Sequence, residues 1–222
     1  MLLNALLEDP LVANKDALSA QFDVSTEIRD ACKSCEYQSE PRAATNNNHG
    51  VDVPIIAESD SKSDSGNDSG NDSEKDSQSK SVLMSKLFKA SLLSDREGAC
   101  PECSRHELQS RTCFTRLPEN LIVKLNRTKF DNGRPSKILT EVDIERVVIP
   151  ASEQIPDKTR YEPLAVVMHD GRNVHTGHYT IYRKQHGTWF LLNDAKSQRA
   201  HQMADSSRPG GQKSAMVLFK RA

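Results

Sequence analysis

The 222-residue chain is 36% hydrophobic and 27% charged, with a formal net charge of −1. This length predicts one domain with enough apolar residues for a core, and the near-neutral charge gives no reason to expect nucleic acid or an anionic membrane as a partner. No apolar stretch approaches the length of a membrane span. The number of cysteines is odd, five, which argues against a disulfide framework and predicts an intracellular protein, cytoplasmic or nuclear or both.

The first quarter of the chain predicts one helix and two strands. Leucines recur at helical spacing around Pro10, and this amphipathic helix would begin at the first residue without a cap, which suggests that preceding sequence is missing. Residues Gln21–Ile28 predict a strand. Residues Val51–Ile56 predict a second strand, which Pro54 would confine to a sheet edge because proline cannot donate to the ladder.

Residues 41–81 form a polar insertion rich in serine, aspartate and asparagine. From Glu58 to Ser81 the sequence has almost nothing to bury, and the motif SGND repeats at Ser65 and Ser69. Such a segment cannot offset the entropy of ordering, so it is predicted to be largely disordered. A phosphorylated acidic tract is the alternative interpretation.

Apolar patterns resume after the insertion and predict one helix and three strands. Residues Val82–Leu93 have the spacing of an amphipathic helix. Residues Leu117–Arg127 hold a strongly apolar strand, Val142–Ile149 alternate as a half-buried strand, and Ala215–Phe219 form the last strand.

Two Cys-x-x-Cys pairs provide four potential metal ligands, Cys32, Cys35, Cys100 and Cys103. A two-residue spacer lets both thiolates of a pair reach one ion, and four thiolates suit tetrahedral Zn²⁺. The 64 residues between the pairs exceed a compact zinc ribbon, an excess that the polar insertion would explain. The alternatives are a redox pair or buried thiols without metal. Cys113 is interpreted as a small buried residue.

Three predicted strands, Leu164–Met168, His178–Arg183 and Thr188–Asn193, surround the candidate catalytic residues. If residues 184–187 form a four-residue turn, His178 faces Asn193 directly on one side of the hairpin. The Asn193 carbonyl oxygen could then accept a hydrogen bond from one ring nitrogen and leave the other free to take a proton. The alternative is a surface histidine or a core histidine with its hydrogen bonds satisfied.

The motif Gly177-His178-Tyr179-Thr180-x-Tyr182, followed by Trp189 and Asn193-Asp194, resembles the histidine box of the ubiquitin-specific proteases. The resemblance implies that His178 is the general base, that Asn193 orients it and that Asp194 supports it. It implies that Gly177 and Tyr179 contact substrate, with Gly177 keeping the approach to the base open. The sequences of Leu117–Arg127 and of the last strand also resemble this family, and Met1–Leu7 resembles the end of its second conserved box.

This resemblance implies an α+β, papain-like cysteine-protease fold over residues 1–222, with an antiparallel sheet lobe, zinc-tipped fingers containing the insertion, and most of the helical lobe missing. The implied function is a thiol protease that hydrolyses isopeptide bonds at the C-terminal glycine of ubiquitin, with ubiquitin and ubiquitinated proteins as partners and one structural zinc ion. The family's Gly-Asn-Thr-Cys box does not occur in the chain, so no nucleophile is assigned. A catalytically inactive ubiquitin-binding homologue or a fragment is the alternative.

Overall fold

The structure, a computed structural model, describes residues 14–44, 49–55, 81–171, 173–200 and 213–222. Strands dominate these residues. These residues contain two helices, α1 (Lys15–Ala20) and α2 (Met84–Ser91). The strands in chain order are β1 (Ser25–Cys32), β2 (Arg42–Ala43), β3 (Val51–Pro54), β4 (Val82–Leu83), β5 (Leu93–Arg96), β6 (Leu108–Arg116), β7 (Asn120–Asn126), β8 (Thr128–Asp131), β9 (Arg134–Lys137), β10 (Val142–Asp143), β11 (Val147–Ile149), β12 (Thr159–Asp170), β13 (His178–Gln185), β14 (Thr188–Asn193), β15 (Lys196–Ala200) and β16 (Ser214–Arg221).

The strands form two main sheets. The larger has eight strands, seven in the order β15-β14-β13-β12-β16-β7-β3 and β11 paired beside β12. The smaller has four strands in the order β2-β1-β6-β5. Strands β8 and β9 form a separate hairpin, and β4 pairs with β10 in parallel. Among the described strands of the larger sheet, β3 and β7 are the one parallel pair, so the sheet consists mainly of antiparallel neighbours.

One hydrophobic core joins α2, the larger sheet and the near end of the smaller one. The strand β7 alternates in burial, with Leu121, Val123 and Leu125 inside, as period-two apolar patterning requires. The helix α2 buries Met84, Leu87 and Phe88 against this core. The Phe88 ring lies parallel to that of Phe114 of β6, with centroids 6.2 Å apart, and this contact brings the two sheets into one packed unit.

Two buried charged side chains tie the strands together. The Asp30 carboxylate of β1 is fully buried, accepts hydrogen bonds from Arg42 and Ser110 and forms an ion pair with Arg96. These three partners lie on the other three strands of the smaller sheet. The Arg127 guanidinium donates to the carbonyl oxygens of Ile138, Thr140 and Ser214. Arg127 ends the apolar β7 segment, and burial lowers its pKa to about 10.

The structure confirms most strands predicted from the sequence and changes several boundaries. Strand β3 lies at the edge of the larger sheet, as Pro54 predicted. The prediction of a single strand over 142–149 is wrong, because the chain forms the separate strands β10 and β11 there. The predicted helix over 82–93 is shorter, since its first two residues pair in β4 and its last begins β5. The strand predicted over 21–28 occurs later, at Ser25–Cys32.

The leucine-rich helix predicted near Pro10 lies outside the described residues. So does most of the predicted disordered insertion: of residues 41–81 the structure describes 41–44, 49–55 and 81. Among the described residues, no helix is long and apolar enough to cross a membrane.

Candidate functional site

His178 and Asn193 form a hydrogen-bonded pair on the hairpin of β13 and β14. His178 Nε2 lies 2.6 Å from Asn193 Oδ1. Because a carbonyl oxygen only accepts, Nε2 must carry the proton and Nδ1 keeps its lone pair. The His178 side chain is 50% exposed, so this lone pair can be reached by a reacting group. The arrangement is that of a base whose ring is held by a neutral amide.

Asp194 lies just beyond the pair. Its Oδ2 is 4.0 Å from His178 Nε2, and its side chain is 81% exposed. A carboxylate at this distance and exposure exerts a weak, solvent-screened attraction on a protonated imidazole. The residue has a positive φ of 50° at the turn into β15, a conformation that aspartate tolerates better than most residues. The geometry therefore gives Asp194 a smaller influence on the ring than Asn193.

The predicted register of this hairpin is wrong by two residues. Gln185 pairs with Thr188, and the turn is the two residues His186 and Gly187, not four. Both have positive φ, 48° and 79°, as a type I′ turn requires, and this turn matches the twist of the strands. The predicted face is nevertheless right, because a shift of two preserves the side of the sheet on which each side chain lies. His178 thus reaches Asn193 diagonally instead of directly.

The described residues between β12 and the base, Gly171 and Asn173–Gly177, are held from several directions. Asn173 Oδ1 accepts hydrogen bonds from the backbone N–H groups of His175 (2.9 Å) and Thr176 (2.8 Å). Lys137 of β9 donates to the Gly171 carbonyl oxygen at 2.8 Å. A Cβ on Gly171 would lie 2.2 Å from the Thr176 carbonyl oxygen, so the ends of the segment touch. The approach to His178 therefore has a defined shape.

Gly177 has a packing reason that the sequence did not reveal. A Cβ there would lie 2.2 Å from Nε2 of His169 and 2.7 Å from the Asp170 carbonyl oxygen. The absence of a side chain is thus required by contacts within the protein, whatever substrate contacts Gly177 makes. Tyr179 is 60% exposed and stacks on the His169 ring, with centroids 4.7 Å apart. No pattern in the sequence indicated a role for His169.

The four cysteines of the two Cys-x-x-Cys pairs converge, as predicted. Their sulfur atoms all lie within 4.8 Å of one another, with Cys32 to Cys103 and Cys35 to Cys100 each at 3.6 Å. Tetrahedral zinc with sulfur ligands at about 2.3 Å places neighbouring sulfurs roughly 3.8 Å apart. The backbone N–H of Ser34, 3.3 Å from the Cys32 sulfur, lowers the pKa of that thiol to about 7. The donor set and spacing therefore fit a tetrathiolate metal site.

Cys113 lies apart from both groups, on β6 of the smaller sheet. It is half-buried, not fully buried as predicted, and lines two adjoining cavities of about 210 and 240 Å³. Burial, together with the nearby Glu27 carboxylate, raises the pKa of the thiol. A catalytic thiol needs the opposite shift, because the thiolate is the nucleophile.

The family model for ubiquitin carboxyl-terminal hydrolase matches residues 3–219. The chain is 29% identical over 104 residues to ubiquitin carboxyl-terminal hydrolase 3 of Mus musculus, a match that covers 43% of this chain and 20% of that protein. It is 30% identical over 101 residues to ubiquitin carboxyl-terminal hydrolase 10 of Saccharomyces cerevisiae, covering 43% of this chain and 12% of that protein. These matches therefore span a fifth or less of the relatives' length.

Solved structures share the fold. A structure of the SAGA DUB module bound to monoubiquitin superposes with a TM-score of 0.65 at 17% identity, covering 99% of this chain and 45% of that chain. A yeast SAGA DUB module structure gives a TM-score of 0.61 at 16% identity and covers 98% of this chain and 47% of that chain. The predicted fold of the ubiquitin-specific protease type is confirmed.

Proposed function

This chain belongs to the ubiquitin carboxyl-terminal hydrolase family, and we propose that it contributes the general base of a thiol-dependent deubiquitinase. The observation that carries the proposal is the 2.6 Å contact between His178 Nε2 and Asn193 Oδ1, which leaves Nδ1 free beside solvent. The reaction is hydrolysis of an isopeptide bond at the C-terminal glycine of ubiquitin, the class of reaction for which the family is named.

In this mechanism His178 takes up and releases a proton in each of two half-reactions. Nδ1 takes the proton of a cysteine thiol, and the thiolate attacks the glycine carbonyl carbon. The imidazolium then gives that proton to the departing lysine amine as the C–N bond breaks and a thioester remains. Water attacks the thioester with His178 again as base, which releases the ubiquitin carboxylate and restores the thiol. Asn193 keeps the ring oriented, and Asp194 adds a weak attraction for its protonated form.

The attacking thiol is not among the cysteines that this chain contains. Four of the five are the tetrathiolate group, and the pKa of Cys113 is raised instead of lowered. The second candidate function follows from the same observation: the chain binds ubiquitin without turnover. An intracellular site of action, in the cytoplasm or nucleus, remains part of both proposals.

The tetrathiolate group is proposed to hold one structural zinc ion. Cys32 ends β1 and Cys35 follows it, while Cys100 and Cys103 follow β5. Cys32 and Arg96 both pair with Leu108 of β6, so the ion would join the ends of β1 and β5 at the same end of the smaller sheet. With zinc bound, the metal supplies cross-linking of these ends and no chemistry at His178. We propose that this sheet contacts the body of ubiquitin, because the resemblance assigns that role to the zinc-tipped fingers.

A ubiquitin bearing a C-terminal electrophile tests the two functions. We expect the zinc-loaded 222-residue chain to bind ubiquitin in a calorimetric titration and to form no covalent adduct. In a longer protein that joins this chain to a family Gly-Asn-Thr-Cys segment, we expect cleavage of a fluorogenic ubiquitin amide. There, His178→Ala should lower kcat about 10²–10⁴-fold and Asn193→Ala by less.

His186→Asn, in the exposed turn at the far end of the same hairpin, is the matched control and should retain full activity, because asparagine tolerates the positive φ of this position. An adduct on Cys113 of the 222-residue chain would contradict the assignment of the thiol. Full activity of His178→Ala would refute the proposed base, and failure to bind ubiquitin would refute both candidate functions.

A further inference from the structure

His178 lies where the sheet provides few restraints. Strand β13 begins at this residue, which pairs with Asp170 at the last rung of the ladder with β12. On the other side, pairing with β14 starts only at Ile181. A short hydrogen bond such as the one to Asn193 requires the ring to be placed to within about 0.5 Å, so contacts beyond the ladder must fix the backbone here.

The His169 ring contacts both sequence neighbours of His178. It stacks on Tyr179, with an interplanar angle of 29°, and its Nε2 lies against the backbone of Gly177 so closely that no Cβ fits between them. Asp170 pairs directly with His178, so these two side chains lie on the same face of the sheet. His169 is the neighbour of Asp170 in β12, so its side chain projects from the opposite face. His169 is 7% exposed, so its ring is buried beneath the sheet and contacts the residues on both sides of His178.

Lys137 holds this ring in one state. Its Nζ donates to the His169 carbonyl oxygen at 2.8 Å and lies 3.4 Å from His169 Nδ1. Because an ammonium group can only donate, Nδ1 must keep its lone pair, and the ring proton is on Nε2. The same Nζ binds the Gly171 carbonyl oxygen, so one cation connects the ring and the segment that leads to the base.

We propose that His169 is a positioning residue for His178, acting through Gly177 and Tyr179 without touching substrate. The inference rests on the proposed role of His178 as general base. Its consequence is specific: without the His169 ring, the backbone at the start of β13 is no longer held, and the hydrogen bond from His178 Nε2 to Asn193 is lost in the folded protein.

The test reads the His178 ring directly by ¹⁵N NMR of the zinc-loaded 222-residue chain, so it does not depend on ubiquitin or on turnover. The variants are His169→Ala and His169→Asn. Asparagine keeps an acceptor near the position of Nδ1 for Lys137 but removes the ring contacts. Val217→Ala is the control, because it destabilises the same sheet from a fully buried position on β16, away from the segment 171–177.

We expect wild type and Val217→Ala to show the single Nε2–H tautomer of His178, and both His169 variants to show a mixture with the Nδ1–H form. If His169 only stabilised the fold, its variants would have a lower melting temperature and an unchanged His178 tautomer, and this result would overturn the proposal. If neither His169 variant folds, nuclear Overhauser contacts in the wild type decide: absence of contacts from the His169 ring to Gly177 and Tyr179 would also overturn it.

Discussion

Replacing Asp30 with asparagine tests what holds the smaller sheet together. The side chain is fully buried and accepts hydrogen bonds from Arg42 at 2.5 and 3.1 Å and from Ser110 at 2.5 Å, with Arg96 as an ion-pair partner. These partners belong to β2, β6 and β5, so one carboxylate connects all the other strands of the sheet. Asparagine keeps the shape but removes the charge and one acceptor.

The expected loss follows from burial. Removing one partner of a buried ion pair costs about 3–5 kcal/mol, because the remaining charge loses its compensation. Here the two guanidinium side chains are 48% and 47% exposed and can regain water, so we expect the lower end of that range. A loss of about 3 kcal/mol lowers the melting temperature of a domain of this size by about 6–12 °C.

Thermal unfolding at saturating zinc measures the effect, since Cys32 lies two residues beyond Asp30 and metal loss would otherwise contribute. The control is Asp95→Asn, the same substitution in an ion pair of the same sheet: Asp95 is 2.6 Å from Lys33 but 80% exposed. Solvent screens such a pair, so little change is expected. If the two variants lowered the melting temperature equally, the reasoning from the burial of Asp30 would be refuted.

Three further predictions concern the larger sheet and the metal group. Arg127→Met should destabilise the fold by about 3–5 kcal/mol in urea unfolding, because buried carbonyl oxygens lose their donor; an unchanged midpoint would contradict this. Burial, and to a smaller extent the charge of Lys137, lower the pKa of His169 in the folded protein. As the pH falls, the unfolded chain therefore binds a proton at this residue before the folded chain does, and the free energy of unfolding should decrease below about pH 6.5. The variant His169→Asn should show a smaller decrease. A chelator should lower the melting temperature of wild type but leave Cys100→Ser unaffected.

The sequence predicted the features that depend on local patterns. The apolar strand β7, the edge strand β3 with its proline and the paired spacing of the cysteines each have one dominant physical cause, and each appeared as expected. The strand over 142–149 was mispredicted because its alternation also fits two short strands. Val142 pairs with β4 and Val147 with β12, which are different partners, and only tertiary contacts decide between one strand and two.

The supports of the candidate site were beyond the reach of sequence patterns. Lys137 and His169 are 32 residues apart, on strands that do not pair with each other, and neither has a spacing that signals contact. The resemblance assigned Gly177 to substrate access, which stays a prediction, and the structure adds a separate reason for glycine there, the contact with the His169 ring. Long-range packing, and not local propensity, therefore determines how the base is held.

The hairpin shows why a wrong register could still place the right pair. Side chains alternate with a period of two, so shortening the turn from four residues to two moved every pair by an even number and kept His178 on the face of Asn193. A three-residue turn would have put the two side chains on opposite faces. Diagonal neighbours are roughly 7–8 Å apart, a gap that an imidazole and a carboxamide together can span. The predicted pairing of His178 with Asn193 therefore depended on an even number of residues in the turn and on the lengths of the two side chains, and both are properties of the sequence.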